Sequence, residues 1–185
     1  MVSLQTLDDG IRTCTACPLA HSRTHAVPGA GPAPTTIMLV GEAPGREEDR
    51  LGLPFIGRSG KLLDKILEDV GWSRTTLYIT SAVKCRPPQN RIPTRAELET
   101  CRNLWLVRQI AILQPNIIVC LGGVSARTLI GPVDLREQHG TFIQRGDQRF
   151  FLTYHPAAAL RFPVVRAAMV TDFRGLDKFL RRGQS

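Results

Sequence analysis

Three short apolar runs stand far apart along the chain: Thr36 to Val40, Leu77 to Val83 and Asn116 to Leu121. Each is nearly unbroken rather than alternating, which suits strands buried on both faces of a parallel sheet. Between them the apolar positions fall at helical spacing. Leu62, Leu63, Ile66, Leu67 and Val70 share one face, and so do Leu98, Cys101, Trp105 and Ile112. Thr94 followed by Glu97, just after Pro93, forms a capping box that starts the second of these helices. A short helix follows Gly122-Gly123 and runs to Leu129. Thr141 to Arg145 and Arg149 to Tyr154 pair around Gly146-Asp147, and Val164 to Arg182 forms a last amphipathic helix. Alternating strands and helices predict right-handed βαβ units in one α/β domain spanning residues 1–185.

Proline and glycine crowd the segments 28–34, 44–54 and 87–93, next to the predicted strand ends. Loops at the carboxyl ends of the strands build the ligand site of an open α/β sheet. No window approaches 18 uninterrupted apolar residues, and the acidic start MVSLQTLDDG has no apolar core of a secretory signal, so the cytoplasm is the expected compartment.

Charge changes this picture. Twenty-four Lys and Arg against sixteen Asp and Glu give +8, and the arginines concentrate in 86–95, 161–166 and 174–182. This is the footprint of a protein that meets a polyanion, with a solvated basic surface as the plain alternative.

Five cysteines in a chain expected in a reducing compartment argue for a metal centre or buried thiols rather than disulfides. Cys14 and Cys17 form a C-x2-C pair, Cys85 follows the second apolar run, and Cys101 lies early in the helix begun at Thr94. Four thiolates from three segments support a tetrahedral zinc or a [4Fe–4S] cluster, and the absence of a second C-x2-C leans toward the cluster. Cys85 and Cys101 as ordinary core residues remain open. Cys120, inside NIIVCL, is expected to be core and not a ligand.

The first apolar run leads into Gly41-Glu42-Ala43-Pro44-Gly45, then Glu48-Asp49 and Pro54-Phe55-Ile56-Gly57-Arg58-Ser59-Gly60. Glycines flanking an acid at a strand end suit close backbone approach to a ligand, and no G-K-[ST] follows to make a phosphate loop. His155 stands where a late strand exits into a loop.

In this order, CxxC at 14–17, GEAPG at 41–45, Glu48-Asp49, PFIGRSG at 54–60, VKCRPPQNR at 83–91, Cys101 and HPAAALR at 155–161 resemble the family 4 uracil-DNA glycosylases over nearly the whole chain. The resemblance implies a three-layer α/β/α domain around a central four-stranded parallel sheet. It implies a structural [4Fe–4S] cluster on Cys14, Cys17, Cys85 and Cys101, pinning the arginine loop between the last two. It implies a monofunctional enzyme that flips uracil out of DNA and hydrolyses its N-glycosidic bond.

On that footing Phe55 stacks on the base and backbone groups of Gly41, Glu42 and Ala43 meet its edge, while Glu48 fills the space a thymine methyl needs. His155 donates to uracil O2, an oxyanion-hole role worth about 3–4 kcal/mol. Glu42 positions water or stabilises the cationic sugar. Leu160 and Arg161 wedge into the stack, and Arg86 and Arg91 meet phosphates. A monomer is expected on uracil-containing DNA. The family's usual asparagine, which reads uracil O4 and N3, is Ser81 here, a shorter reader with fewer hydrogen bonds. That difference raises a base specificity shifted toward hypoxanthine or xanthine. A non-catalytic cluster- or zinc-bearing DNA-binding module is the reading from another class.

Overall fold

The three unbroken apolar runs lie side by side in the computed structural model, which describes residues 3–182. They become β1 (Ile37–Gly41), β2 (Tyr78–Ser81) and β3 (Ile117–Leu121), all parallel. The paired segments after residue 140 become β4 (Phe142–Arg145) and β5 (Gln148–Thr153). β5 runs parallel beside β3, and β4 is antiparallel to it at the edge, giving the order β2-β1-β3-β5-β4. The sheet therefore has five strands rather than four. The four expected parallel strands are present, and the hairpin adds an edge strand with no buried residue, half-exposed at Phe142 and Ile143 and exposed at Gln144 and Arg145.

Both faces of the parallel part are covered, which is why its strands read as continuous apolar runs. Alternate residues Leu39, Ile79, Val119, Leu121 and Phe151 pack with Leu63, Ile66, Met169 and Phe173. Their neighbours Met38, Val40, Tyr78, Ile118, Cys120 and Leu152 pack with Leu106, Leu113 and Ala126 on the other side. The helices in chain order are α1 (Leu4–Thr13), α2 (Arg46–Leu51), α3 (Arg58–Asp69), α4 (Arg95–Cys101), α5 (Val107–Leu113), α6 (Gly123–Ile130), α7 (Leu135–Gln138), α8 (Pro156–Ala159) and α9 (Pro163–Arg182). α4 and α5 are joined by a π-helical stretch, Arg102–Leu106, so the predicted helix is one rod with a widened middle. Thr94 caps it as expected, its hydroxyl accepting from the Glu97 N–H while the Glu97 carboxylate accepts from the Thr94 N–H.

A third apolar cluster sits off the sheet. Leu7 and Ile11 of α1 meet Leu19, Val83, Cys85 and Cys101, with Leu98, Trp105 and Ile112 packed alongside. It holds the amino-terminal segment against the loop that follows β2. No helix among the described residues is long and apolar enough to cross a membrane.

Candidate active site

The carboxyl ends of β1, β2 and β5 open into one cleft of about 280 Å³, at the small end of single-ligand sites. Its walls include Glu42, Ala43, Glu48, Phe55, Ser81, Arg91, His155 and Arg161. The sequence thus placed most of its pocket residues around a single space.

Gly41 ends β1 opposite Ser81, and a Cβ there would stand 2.4 Å from the tip of the Phe55 ring. Only glycine lets that ring lie across the strand end. Phe55 is buried and holds a positive φ of 51°, an uncommon conformation for a bulky side chain. Arg74 maintains it, donating to the carbonyls of Pro54 (2.8 Å) and Phe55 (3.1 Å) while its guanidinium pairs with Asp64 at 3.1 Å. The carbonyls of Gly41 and Glu42 accept from the N–H groups of Ala82 (2.9 Å) and Val83 (3.2 Å). The loop after β1 is thereby tied to the loop after β2, and those two carbonyls are already engaged.

His155 faces Phe55 with ring centroids 5.8 Å apart. Gly122, at φ +95°, leaves room for it, since a Cβ there would lie 2.9 Å from the His155 Cβ. His155 also caps α8: its Nδ1 accepts the Ala157 N–H at 3.1 Å. Accepting at Nδ1 puts the proton of the neutral ring on Nε2, so the ring carries its donor on the edge away from α8. Enclosure by protein depresses its pKa to about 4, with Glu48 pulling weakly the other way, and the ring is neutral at pH 7.

Glu48 has another occupation. Its Oε1 accepts from the N–H groups of Ile56 (2.9 Å) and Gly57 (2.8 Å), and its Oε2 from Gly45 (3.1 Å). One carboxylate therefore clamps the 41–45 loop to the start of α3 while lining the cleft. Asp49 does similar work outward, accepting the Thr24 N–H at 2.9 Å. Glu42, by contrast, lines the cleft with no side-chain hydrogen bond to the described residues. Burial lifts its carboxyl above the ordinary range and Arg127 opposes that rise.

The second convergence is of thiols. Cys14, Cys17, Cys85 and Cys101, from α1's end, the turn after it, the loop after β2 and α4, line one small cavity with Arg23, Lys84 and Trp105. Arg23 donates to the Cys85 Sγ at 3.1 Å, and the Trp105 indole to the Cys14 Sγ at 3.3 Å. N–H donors aimed at sulfur are what metal-bound thiolates receive from their surroundings. No set of three His, Cys, Asp or Glu among the described residues fits one metal ion. Cys120 lies elsewhere, fully buried within β3.

Residues 28–174 match the model of the uracil DNA glycosylase superfamily. The chain belongs to that superfamily. It is 42% identical over 193 residues to a type-4 uracil-DNA glycosylase of Pyrobaculum aerophilum, covering 97% of this chain and 98% of the relative. A type-4 enzyme of Thermotoga maritima is 40% identical over 184 residues, covering 97% and 95%. The match to a type-5 enzyme of Pyrobaculum aerophilum is 32% over 149 residues, covering 71% and 65%. Within the superfamily, the type-4 relatives thus match at nearly full length.

Among the arginines expected to meet DNA in this superfamily member, Arg161 lines the cleft, but Arg91 is committed. Its two Nη atoms bind both oxygens of buried Glu97, at 2.7 and 2.9 Å, holding the 86–95 loop to α4. Arg86 bonds Asn90 across the same loop at 2.8 Å. Leu160 is exposed at the end of α8, and Phe162 and Val164 beside it are still more exposed. Sequence reading passed over these two, and over Arg74, whose partners lie 10 to 20 residues away in the chain.

Proposed function

We propose that this protein is a monofunctional DNA glycosylase that excises uracil from DNA, leaving an abasic site. The observation that carries it is the fixed tautomer of His155. A neutral imidazole with its donor at Nε2, in a cleft with Phe55 and the 41–45 loop, stabilises an anionic leaving base without a proton transfer. Phe55 stacks on the flipped base, and Glu42, with its free carboxylate, orients water and balances the cationic sugar. Leu160, with Phe162 beside it, fills the gap in the duplex, and Arg161 and Arg86 meet phosphates. Arg91 shapes the loop.

Incubation with a uracil-bearing oligonucleotide followed by alkali is expected to break the strand at the uracil. Intact strands from both single- and double-stranded substrates overturn this reading. A specificity shift remains a second reading because Ser81 lines the cleft with its hydroxyl unbonded to any described side chain. Under it, a panel containing hypoxanthine and xanthine yields faster excision than uracil, and Ser81→Asn raises uracil excision.

Glu42 acts as a carboxylate, so activity falls as pH drops through its pKa. Burial raises that pKa, and Arg127 limits the rise. Arg127→Ala is expected to move the acid limb of the kcat/KM profile to higher pH and leave the alkaline limb in place, a shift that profiles of the two proteins measure directly.

The four cysteines suit a [4Fe–4S] cluster. They surround one cavity, two of their sulfurs already receive N–H donors, and a buried lysine supplies positive charge beside them. Such a group would cross-link α1, the loop after β2 and α4, and contribute negative charge. A reducing compartment, the cytoplasm, is where five free thiols fit.

A further inference from the structure

Lys84 is fully buried, a rare place for an ammonium. Its Nζ donates to the Thr80 hydroxyl at 2.6 Å and to the Ser81 carbonyl at 2.8 Å. No carboxylate among the described residues forms an ion pair with it. Two neutral acceptors satisfy hydrogen bonds but do not balance a charge, and an unbalanced buried ion is strongly destabilising. Lys84 lines the cavity of the four cysteines. Asp8 acts on it through its field without forming an ion pair, so it offsets part of the charge. The rest of the counter-charge falls to the cysteine cavity that Lys84 lines.

The other end of this lysine reaches the base pocket. Ser81 closes β2 in register with Gly41 and lines the cleft. Its carbonyl is the atom that Lys84 holds, three residues along the chain.

Resting on the reading above, we propose that Lys84 is a positioning residue that couples the two sites: its charge is balanced by the anionic group on the four cysteines, and its hydrogen bond to the Ser81 carbonyl sets the pocket wall. Occupancy of the cysteine site is then felt at the base. With the anion gone, the ammonium has no reason to stay buried, and withdrawing it releases the Ser81 peptide.

Two substitutions in the holoprotein separate charge from hydrogen bond. Lys84→Met removes both, and Lys84→Gln keeps an N–H donor without the charge. Both variants are expected to show a lower cluster reduction potential than the parent, because a positive charge beside the iron has been lost. KM for a uracil oligonucleotide is expected to rise about tenfold in Lys84→Met and less in Lys84→Gln, with kcat little changed. A parental potential in either variant, or a parental KM in Lys84→Met, overturns the proposal. If Lys84→Met fails to fold, the potential of Lys84→Gln decides alone. Parent protein purified anaerobically without iron and sulfide overturns it together with the cluster. Failure of the parent to excise uracil overturns only the catalytic reading, since the potentials are measured without substrate.

Discussion

Replacing His155 by alanine is expected to slow uracil excision by about 10²–10³-fold at neutral pH, mostly in kcat, the usual cost of one preorganised donor to a developing anion. Single-turnover rates on a saturating oligonucleotide measure this, and a loss below tenfold would move the donor role elsewhere. The side chain also caps α8, so alanine removes an acceptor as well. His155→Asn keeps an acceptor suited to the cap but lacks the reach of Nε2. It is expected to recover thermal stability and not rate.

The pH behaviour follows from the same enclosure. With a pKa of about 4 in the folded state, His155 stays neutral throughout the physiological range, and no loss of rate near pH 6–7 is expected from its titration. The unfolded chain, with an ordinary histidine, binds a proton at higher pH. Stability linked to His155 is therefore present above the ordinary pKa and is lost as pH falls toward 4. The parent is expected to lose more Tm between pH 7 and pH 5 than His155→Asn does.

What the chain discloses on inspection follows its physics. Doubly buried strands are short and apolar, so β1 and β3, closed by glycine, are legible nearly to the residue, whereas the run Leu77–Val83 continues two residues past the end of β2 at Ser81 because no glycine or proline closes it. The edge strand β4 has no buried face of that kind, and only its turn at Gly146 announced it. α1 was missed because just Leu7 and Ile11 are buried in ten residues dominated by polar side chains. At the site, residues that face a ligand were found through ordered motifs, whereas residues that hold those residues were not. Arg74, Arg23, Trp105 and Lys84 act on partners far away in the chain or on backbone atoms, and no local pattern records such contacts. Glu48 lies between the two cases. Its carboxylate reaches back to the Gly45 N–H as Glu97 does to that of Thr94, but glycine has no side chain to return the bond, so no capping-box pattern marked its structural role.

That double duty makes Glu48→Ala the second large effect. The carboxylate accepts three backbone N–H bonds from two loops, and its removal leaves the donors of Gly45, Ile56 and Gly57 partly buried without partners. A hydrogen bond to a charged group contributes about 1.5–3 kcal/mol, and water entering from the cleft recovers part of the loss. A net cost of about 3 kcal/mol is expected, equivalent to about 6–12 °C in Tm for a domain of this size. Phe55 directly precedes Ile56, so loosening the clamp also frees the strained residue that stacks on the base, and KM rises with the loss of stability. Glu48→Gln separates the two contributions. Its amide oxygen still serves the Ile56 and Gly57 donors, while its NH2 faces the Gly45 N–H in place of an acceptor. The glutamine variant is therefore expected to recover the start of α3 and the Phe55 stack, with KM near that of the parent, while the 41–45 loop stays loose and Tm remains between those of the parent and Glu48→Ala. Calorimetry and KM measured on the same preparations test both, and a glutamine variant as impaired in KM as alanine would mean that the clamp on the 41–45 loop, rather than the seat of Phe55, sets the affinity for the base.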